Sequence, residues 1–162
     1  NVATQDQSRE SKFAGIDQSG NNNYASQLQT GIASSASIDQ SGSNNVAEQN
    51  QDVNAFSADI DQSGRNNYAS QYQEGKRNVA DIDQSGSNNT ALQEQFGNQE
   101  FQPAPGQSAL SIIQSGNNNF ARQTQMLGST INDAHIVQGG NNNSAVQEQA
   151  GSGNSATITQ GH

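Results

Sequence analysis

Four aspartates, Asp17, Asp39, Asp61 and Asp83, recur at a constant spacing of 22 residues, and Asp59 and Asp81 repeat the interval beside them. Oxygen ligands in a row suit a hard divalent cation such as Ca²⁺. The spacing matches no cation loop, however, and the calcium-binding β-helix repeat G-G-x-G-x-D is absent. The preferred reading is a solvated acidic stripe. If the four carboxylates stack, their mutual repulsion should raise their pKa values. His135 and His162 are the two histidines, one at the chain end, and a metal site needs clustered partners. No G-x-S-x-G, Walker or H-E-x-x-H pattern occurs, and the glycines of "GSGNS" at 151–155 precede a strand pattern rather than a helix. No cysteine is present, which removes thiol chemistry and disulfides. No catalytic residue, cofactor or metal is therefore expected.

The residue types left in quantity are amides, and they too recur. "IDQSGSNN" occurs at 38–45 and again at 82–89, with near copies beginning at Ile16, Ile60, Ile112 and Ile136. A seventh starts at Ile158, and the spacings run 22, 22, 22, 30, 24 and 22. A shorter form lies inside, N-x-A-x-[I/Q]-x-Q, returning about every 11 residues. Fourteen such units carry Ala at their third position, from Ala3 to Ala156, with Leu110 the one substitute. Units with Ile at the fifth position alternate with units that have Gln there. Within a unit the fixed residues fall at positions 1, 3, 5 and 7, the period of a β-strand with one specified face.

Fourteen strands in about seven 22-residue strand–turn–strand repeats follow. They lie near 1–18, 23–40, 45–62, 67–84, 89–114, 119–138 and 143–160, with an insertion at 96–107. The fold expected is all-β, a β-solenoid forming one domain over 1–162 and able to build cross-β fibres. Gly20, Gly42, Gly64, Gly86, Gly116 and Gly140 mark the tight turns, where a positive φ is needed. Stacking at ~4.8 Å would place each fixed residue above its copy. Ile16, Ile38, Ile60, Ile82, Ile112, Ile136 and Ile158 form one column. Gln18, Gln40, Gln62, Gln84, Gln114, Gln138 and Gln160 form another, and both Gln positions of the alternate units form more. Asn23, Asn45, Asn67, Asn89, Asn119 and Asn143 line up, as do Ala25, Ala47, Ala69, Ala91, Ala121 and Ala145. An amide buried without a partner costs a few kcal/mol. A column in register removes that cost if each side chain donates to one neighbour and accepts from the other. This is why one chain repeats itself so closely.

Composition agrees with a stacked rather than a globular core. Apolar residues make up 29% of the 162, well below the usual ~45–50%. The net charge of −9 with six Lys and Arg gives no basic patch for a phosphate backbone, so nucleic acid is not expected as a partner. No apolar run of membrane-spanning length occurs. The opening "NVATQDQ" is already a full Gln unit and "NSATITQ" a full Ile unit, so the ends are expected to be uncapped and mutually complementary. Heterologous contacts of that kind make open fibres.

The repeat resembles the curlin repeat of curli, the functional amyloid of bacterial biofilms. Ser34, Gln40, Gly42, Asn45, Ala47 and Gln51 carry the family's pattern. The other repeats keep its Gln, Gly, Asn, Ala and Gln, while the Ser position holds Lys12, Phe56, Asn78, Ser108, Asn132 and Asn154. The resemblance implies a secreted subunit that polymerises head to tail into adhesive matrix fibres on the bacterial surface. It also implies a nucleator, a secretion pore and an N-terminal targeting segment; a signal peptide is expected to have been removed from this chain. The acidic, regular repeats favour a major subunit over a nucleator. Two rivals remain: a soluble β-solenoid binding module, such as an ice-binding protein or adhesin passenger, and a β-helix carbohydrate enzyme. Against the first, the outward residues vary from layer to layer; against the second, a 22-residue coil leaves little room for a groove.

Overall fold

Alternation along the units decides both the strands and their faces. In a computed structural model, residues 1–8, 12–32, 34–52, 57–97, 108–129 and 132–161 are described. Within them, strands β1 (Val2–Gln7), β3 (Tyr24–Gln29), β5 (Val46–Asp52), β7 (Tyr68–Glu74), β9 (Thr90–Gly97), β11 (Phe120–Ser129) and β13 (Ser144–Gln149) form one sheet. Strands β2 (Phe13–Gln18), β4 (Ser35–Gln40), β6 (Ser57–Gln62), β8 (Asn78–Gln84), β10 (Ser108–Gln114), β12 (Asp133–Gly139) and β14 (Ser155–Gly161) form the second. Each strand pairs in parallel with the strand two places on in sequence, so the chain crosses between sheets at every turn and climbs one layer per repeat. The protein is an all-β solenoid of stacked parallel sheets.

The register keeps identical residues together. Ile38 pairs with Ile60, Ile60 with Ile82, Ile82 with Ile112 and Ile112 with Ile136, across the 30- and 24-residue repeats as well as the regular ones. Isoleucines of the second sheet pack against Ala25, Ala47, Ala69, Ala91, Ala121 and Ala145 of the first, with Ile16 and Ile158 partly buried at the margins. The alanines leave room for the larger side chains opposite. One fully buried Ile contributes about 1.5–3 kcal/mol per layer, a modest apolar term that leaves much of the specification to polar groups.

The turns stack as tightly as the strands. Gly20, Gly42, Gly64, Gly86, Gly116 and Gly140 all have positive φ, between 79° and 104°. Two residues later Asn22, Asn44, Asn66, Asn88, Asn118 and Asn142 also adopt positive φ, 54–59°. Between them Asn21, Ser43, Arg65, Ser87, Asn117 and Asn141 bridge from layer to layer. Of the irregular stretches, 98–107 of the insertion and 130–131 lie outside the described residues, as do Phe56 and His162. Strand β11 runs past its neighbours, with a register shift between Gln125 and Ser129.

Candidate functional site: the amide ladders

Three glutamine columns run through the interior. In the second sheet, the Nε2 of Gln18 donates to the Oε1 of Gln40, and the chain continues through Gln62, Gln84, Gln114 and Gln138 to Gln160 at 2.7–2.8 Å. In the first sheet, one column passes from Gln7 through Gln29, Gln51, Gln73 and Gln95 to Gln125. Its companion passes from Gln27 through Gln49, Gln71, Gln93 and Gln123 to Gln147. In every one of these bonds the amide N–H belongs to the earlier repeat and the oxygen to the later one.

The second N–H of the amide is used as well. Gln40, Gln62, Gln84, Gln114 and Gln138 donate across the interior to the carbonyls of Tyr24, Val46, Tyr68, Thr90 and Phe120. Gln51 and Gln73 donate to Ser35 and Ser57 in the opposite direction. Each such side chain therefore ties its layer to the next and its own sheet to the facing one. Gln51, Gln62, Gln73, Gln84 and Gln114 are fully buried, so these bonds form away from water.

The asparagines behave differently from a side-chain ladder. The Oδ1 of Asn23 accepts the backbone N–H of Asn45, Asn45 that of Asn67, Asn67 that of Asn89, Asn89 that of Asn119 and Asn119 that of Asn143, at 3.0–3.1 Å. The Nδ2 of Asn45 donates to the carbonyls of Ser41 and Gly64, and that of Asn67 to Ser63 and Gly86. The Asn side chain is one methylene shorter than Gln. Placed directly after the turn, it reaches backbone rather than its own copy and pins each turn to the one above. The Asn23–Asn143 column thus staples backbone, a correction to the amide-on-amide stacking expected for it.

The ladders also have a break. Thr124 Oγ1, Gln125 Nε2 and Gln149 Oε1 are buried without partners, so the column that starts at Gln7 stops one layer short. The break lies between β11 and β13, although the backbones of Gln125 and Gln149 pair in register there. A second shortfall is at the other margin, where Gln5 donates to the Ala14 carbonyl and leaves Gln27 Oε1 unpaired. Ser34, in the position that carries the Ser of the repeat pattern, is buried with its hydroxyl unpaired. Lys12 at the equivalent position donates to the Ser8 and Gln29 carbonyls.

On the outer face of the second sheet, Asp17, Asp39 and Asp61 pair in register with Asp83 next in line, and Asp59 pairs with Asp81. Burial raises the pKa of Asp59, Asp61 and Asp81 above the ordinary carboxylate value, and neighbouring aspartates add to it; His135 partly offsets the effect at Asp81. Desolvation, rather than the repulsion expected along the Asp17–Asp83 column, is the larger cause, and two of the three groups lie in the neighbouring Asp59–Asp81 pair. Among the described residues no three His, Cys, Asp or Glu side chains converge as a bound ion requires. A carboxyl whose pKa is higher folded than unfolded makes the folded chain bind the extra protons. The resulting destabilisation is fully present above the folded pKa and is relieved as pH falls to the unfolded value. The guanidinium midpoint should therefore rise from neutral pH toward about pH 4, and the Asp59→Asn/Asp61→Asn/Asp81→Asn variant should show a flatter dependence. A variant that keeps the full slope would place its cause elsewhere.

Parallel sheets bound through columns of identical amides define a β-solenoid repeat protein. The curlin associated repeat matches residues 13–42, from β2 through the turn after β4, and residues 132–161, which hold β12 to β14. The chain therefore carries the curlin associated repeat in two stretches, and that repeat suggests a curli-type structural subunit. Comparison with curated proteins gives no significant match. No helix among the described residues is long and apolar enough to cross a membrane.

Proposed function

We propose that this chain is a structural subunit that polymerises head to tail into extracellular curli-type fibres serving as biofilm matrix and surface adhesion material. One observation carries the reading: the contact between layers is a translation along one axis, repeated at every layer, with each Gln side chain donating to the later layer and accepting from the earlier one. A translational contact has no rotation to close a ring, so when copies use it the product is a filament. The Ile, Gln and Asn columns would then run on from one subunit into the next, and residues 1–162 would act as one solenoid domain. A nucleator and a secretion pore are the partners that go with this role, and the acidic repeats fit a major subunit.

Purified protein is expected to assemble on standing without any cofactor. Aligned fibres should diffract at ~4.8 Å along their axis, with a subunit rise of about 34 Å for seven layers. Electron micrographs and fibre diffraction of aged protein test this. Protein that stays monomeric for days at high concentration would defeat the proposal.

A further inference from the structure

On the outer face of the first sheet, one column of side chains alternates between rings and smaller residues. In register it reads Val2, Tyr24, Val46, Tyr68, Thr90, Phe120 and Ser144. The rings of Tyr24, Tyr68 and Phe120 occupy every second layer. With layers ~4.8 Å apart they recur at ~9.6 Å, and the three span about 19 Å along the axis. Tyr24 is 38% exposed, and Tyr68 and Phe120 are half-buried. Val46 and Thr90 stand between the rings and, being shorter, leave the rings to project. The Tyr68 hydroxyl donates to Glu48 Oε2 at 2.8 Å, which fixes that ring. Two residues further along their strands, Ser26, Glu48 and Ser70 form a neighbouring column of hydroxyl and carboxylate groups.

An extended β-1,4-linked glycan turns over at each sugar, so one sugar face recurs with every disaccharide, a length close to two layers here. That face is lined with C–H groups and stacks on aromatic rings, while the hydroxyls radiate sideways toward polar neighbours. An α-1,4-linked chain coils and loses the match. Charge selects further: a protein of net charge −9 repels an anionic polymer, whereas a neutral glycan carries no such penalty. We propose that Tyr24, Tyr68 and Phe120 form a binding stripe for a neutral, extended β-1,4-linked glycan lying along the solenoid axis, with Ser26, Glu48 and Ser70 pairing its hydroxyls. The stripe lies within one chain, so it does not depend on fibre formation.

The test uses the full chain and fluorophore-labelled cellohexaose, with bound sugar retained by an ultrafiltration membrane that passes free sugar, and labelled maltohexaose as comparison. Cellohexaose is expected to be retained and maltohexaose to pass. The Tyr24→Ala/Tyr68→Ala/Phe120→Ala variant should lose retention about tenfold or more. Tyr68→Phe, which keeps the ring, and Phe13→Ala, which removes an exposed ring of the other sheet, should each keep it. Tyr24→Thr, a β-branched replacement at an exposed strand position, should lose it several-fold even if the triple variant misfolds. Equal retention of both sugars, or unchanged cellohexaose retention in Tyr24→Thr and the triple variant, overturns the proposal. So does a loss of side-by-side fibre bundling with sugar retention intact, which would make the stripe a contact between copies.

Discussion

Replacing Gly64 by alanine is expected to destroy the ordered stack. Gly64 has φ +104°, a region that a Cβ makes costly by about 1–3 kcal/mol. The added methyl would also stand 2.0 Å from the Gly86 carbonyl oxygen of the next layer. Nothing flexible can give way, because that carbonyl is backbone and accepts the N–H of Arg65 at 2.9 Å. Gly86 in turn is held the same way against Gly116, so a displaced turn disturbs the turns on either side. The loss should exceed about 4 kcal/mol, in the class of diagnostic substitutions. Gly15→Ala supplies the contrast, since a Cβ there meets nothing within 4 Å and its φ is ordinary for a strand. It should be neutral or stabilise by up to about 1 kcal/mol by narrowing the unfolded ensemble. Guanidinium midpoints of the two variants decide the matter; similar midpoints would show that the turns are not packed as described.

The second large effect is expected from Gln62→Leu. Gln62 is fully buried, accepts from Gln40 and donates to Gln84 and to the Val46 carbonyl, all at 2.8–3.1 Å. Leucine preserves the bulk and removes the bonds, leaving an N–H of Gln40 and the Oε1 of Gln84 buried without partners. At about 1–3 kcal/mol for each orphaned group, the loss is about 2–6 kcal/mol. Gln149→Leu should cost less, because Gln149 Oε1 is unpaired already and the side chain makes one bond, to the Asp133 carbonyl. The same denaturation measurement ranks the two. If Gln149→Leu were the more damaging, the stability would not reside in the continuous ladders.

Much of this arrangement is legible in the sequence because stacking turns a one-dimensional period into a three-dimensional register. Residues repeated at positions 3, 5 and 7 of each unit must share a face, and those 22 apart must share a column, so Ile60 lies between Ile38 and Ile82. What a period cannot convey is which atom meets which. The reach of an Asn side chain from a turn, toward backbone rather than its own copy, depends on a single methylene. The Gln bonds across the interior depend on how closely two sheets approach. The positive φ of Asn22 and its equivalents has a signal, the constant Asn two residues after the turn Gly, since Asn tolerates that conformation better than most residues. The broken column between Gln125 and Gln149 was hidden for another reason: both residues fit the repeat and pair in register, yet their side chains do not bond.

The uniform sense of the glutamine bonds gives the molecule an electrical direction. Dipoles of backbone peptides in a sheet largely cancel, but the side-chain amides of a Gln column all point the same way. Three such columns in parallel sum along the axis, much as peptide units sum in a helix. The partial positive charge of the amide N–H groups accumulates toward the later repeats and the partial negative charge of the oxygens toward the earlier ones. Any stack of these layers is therefore unlike at its two tips: along the glutamine columns one offers side-chain donors and the other side-chain acceptors. In the proposed fibre, growth at the two tips would then be two different reactions, each with its own rate and its own sensitivity to ions in solution.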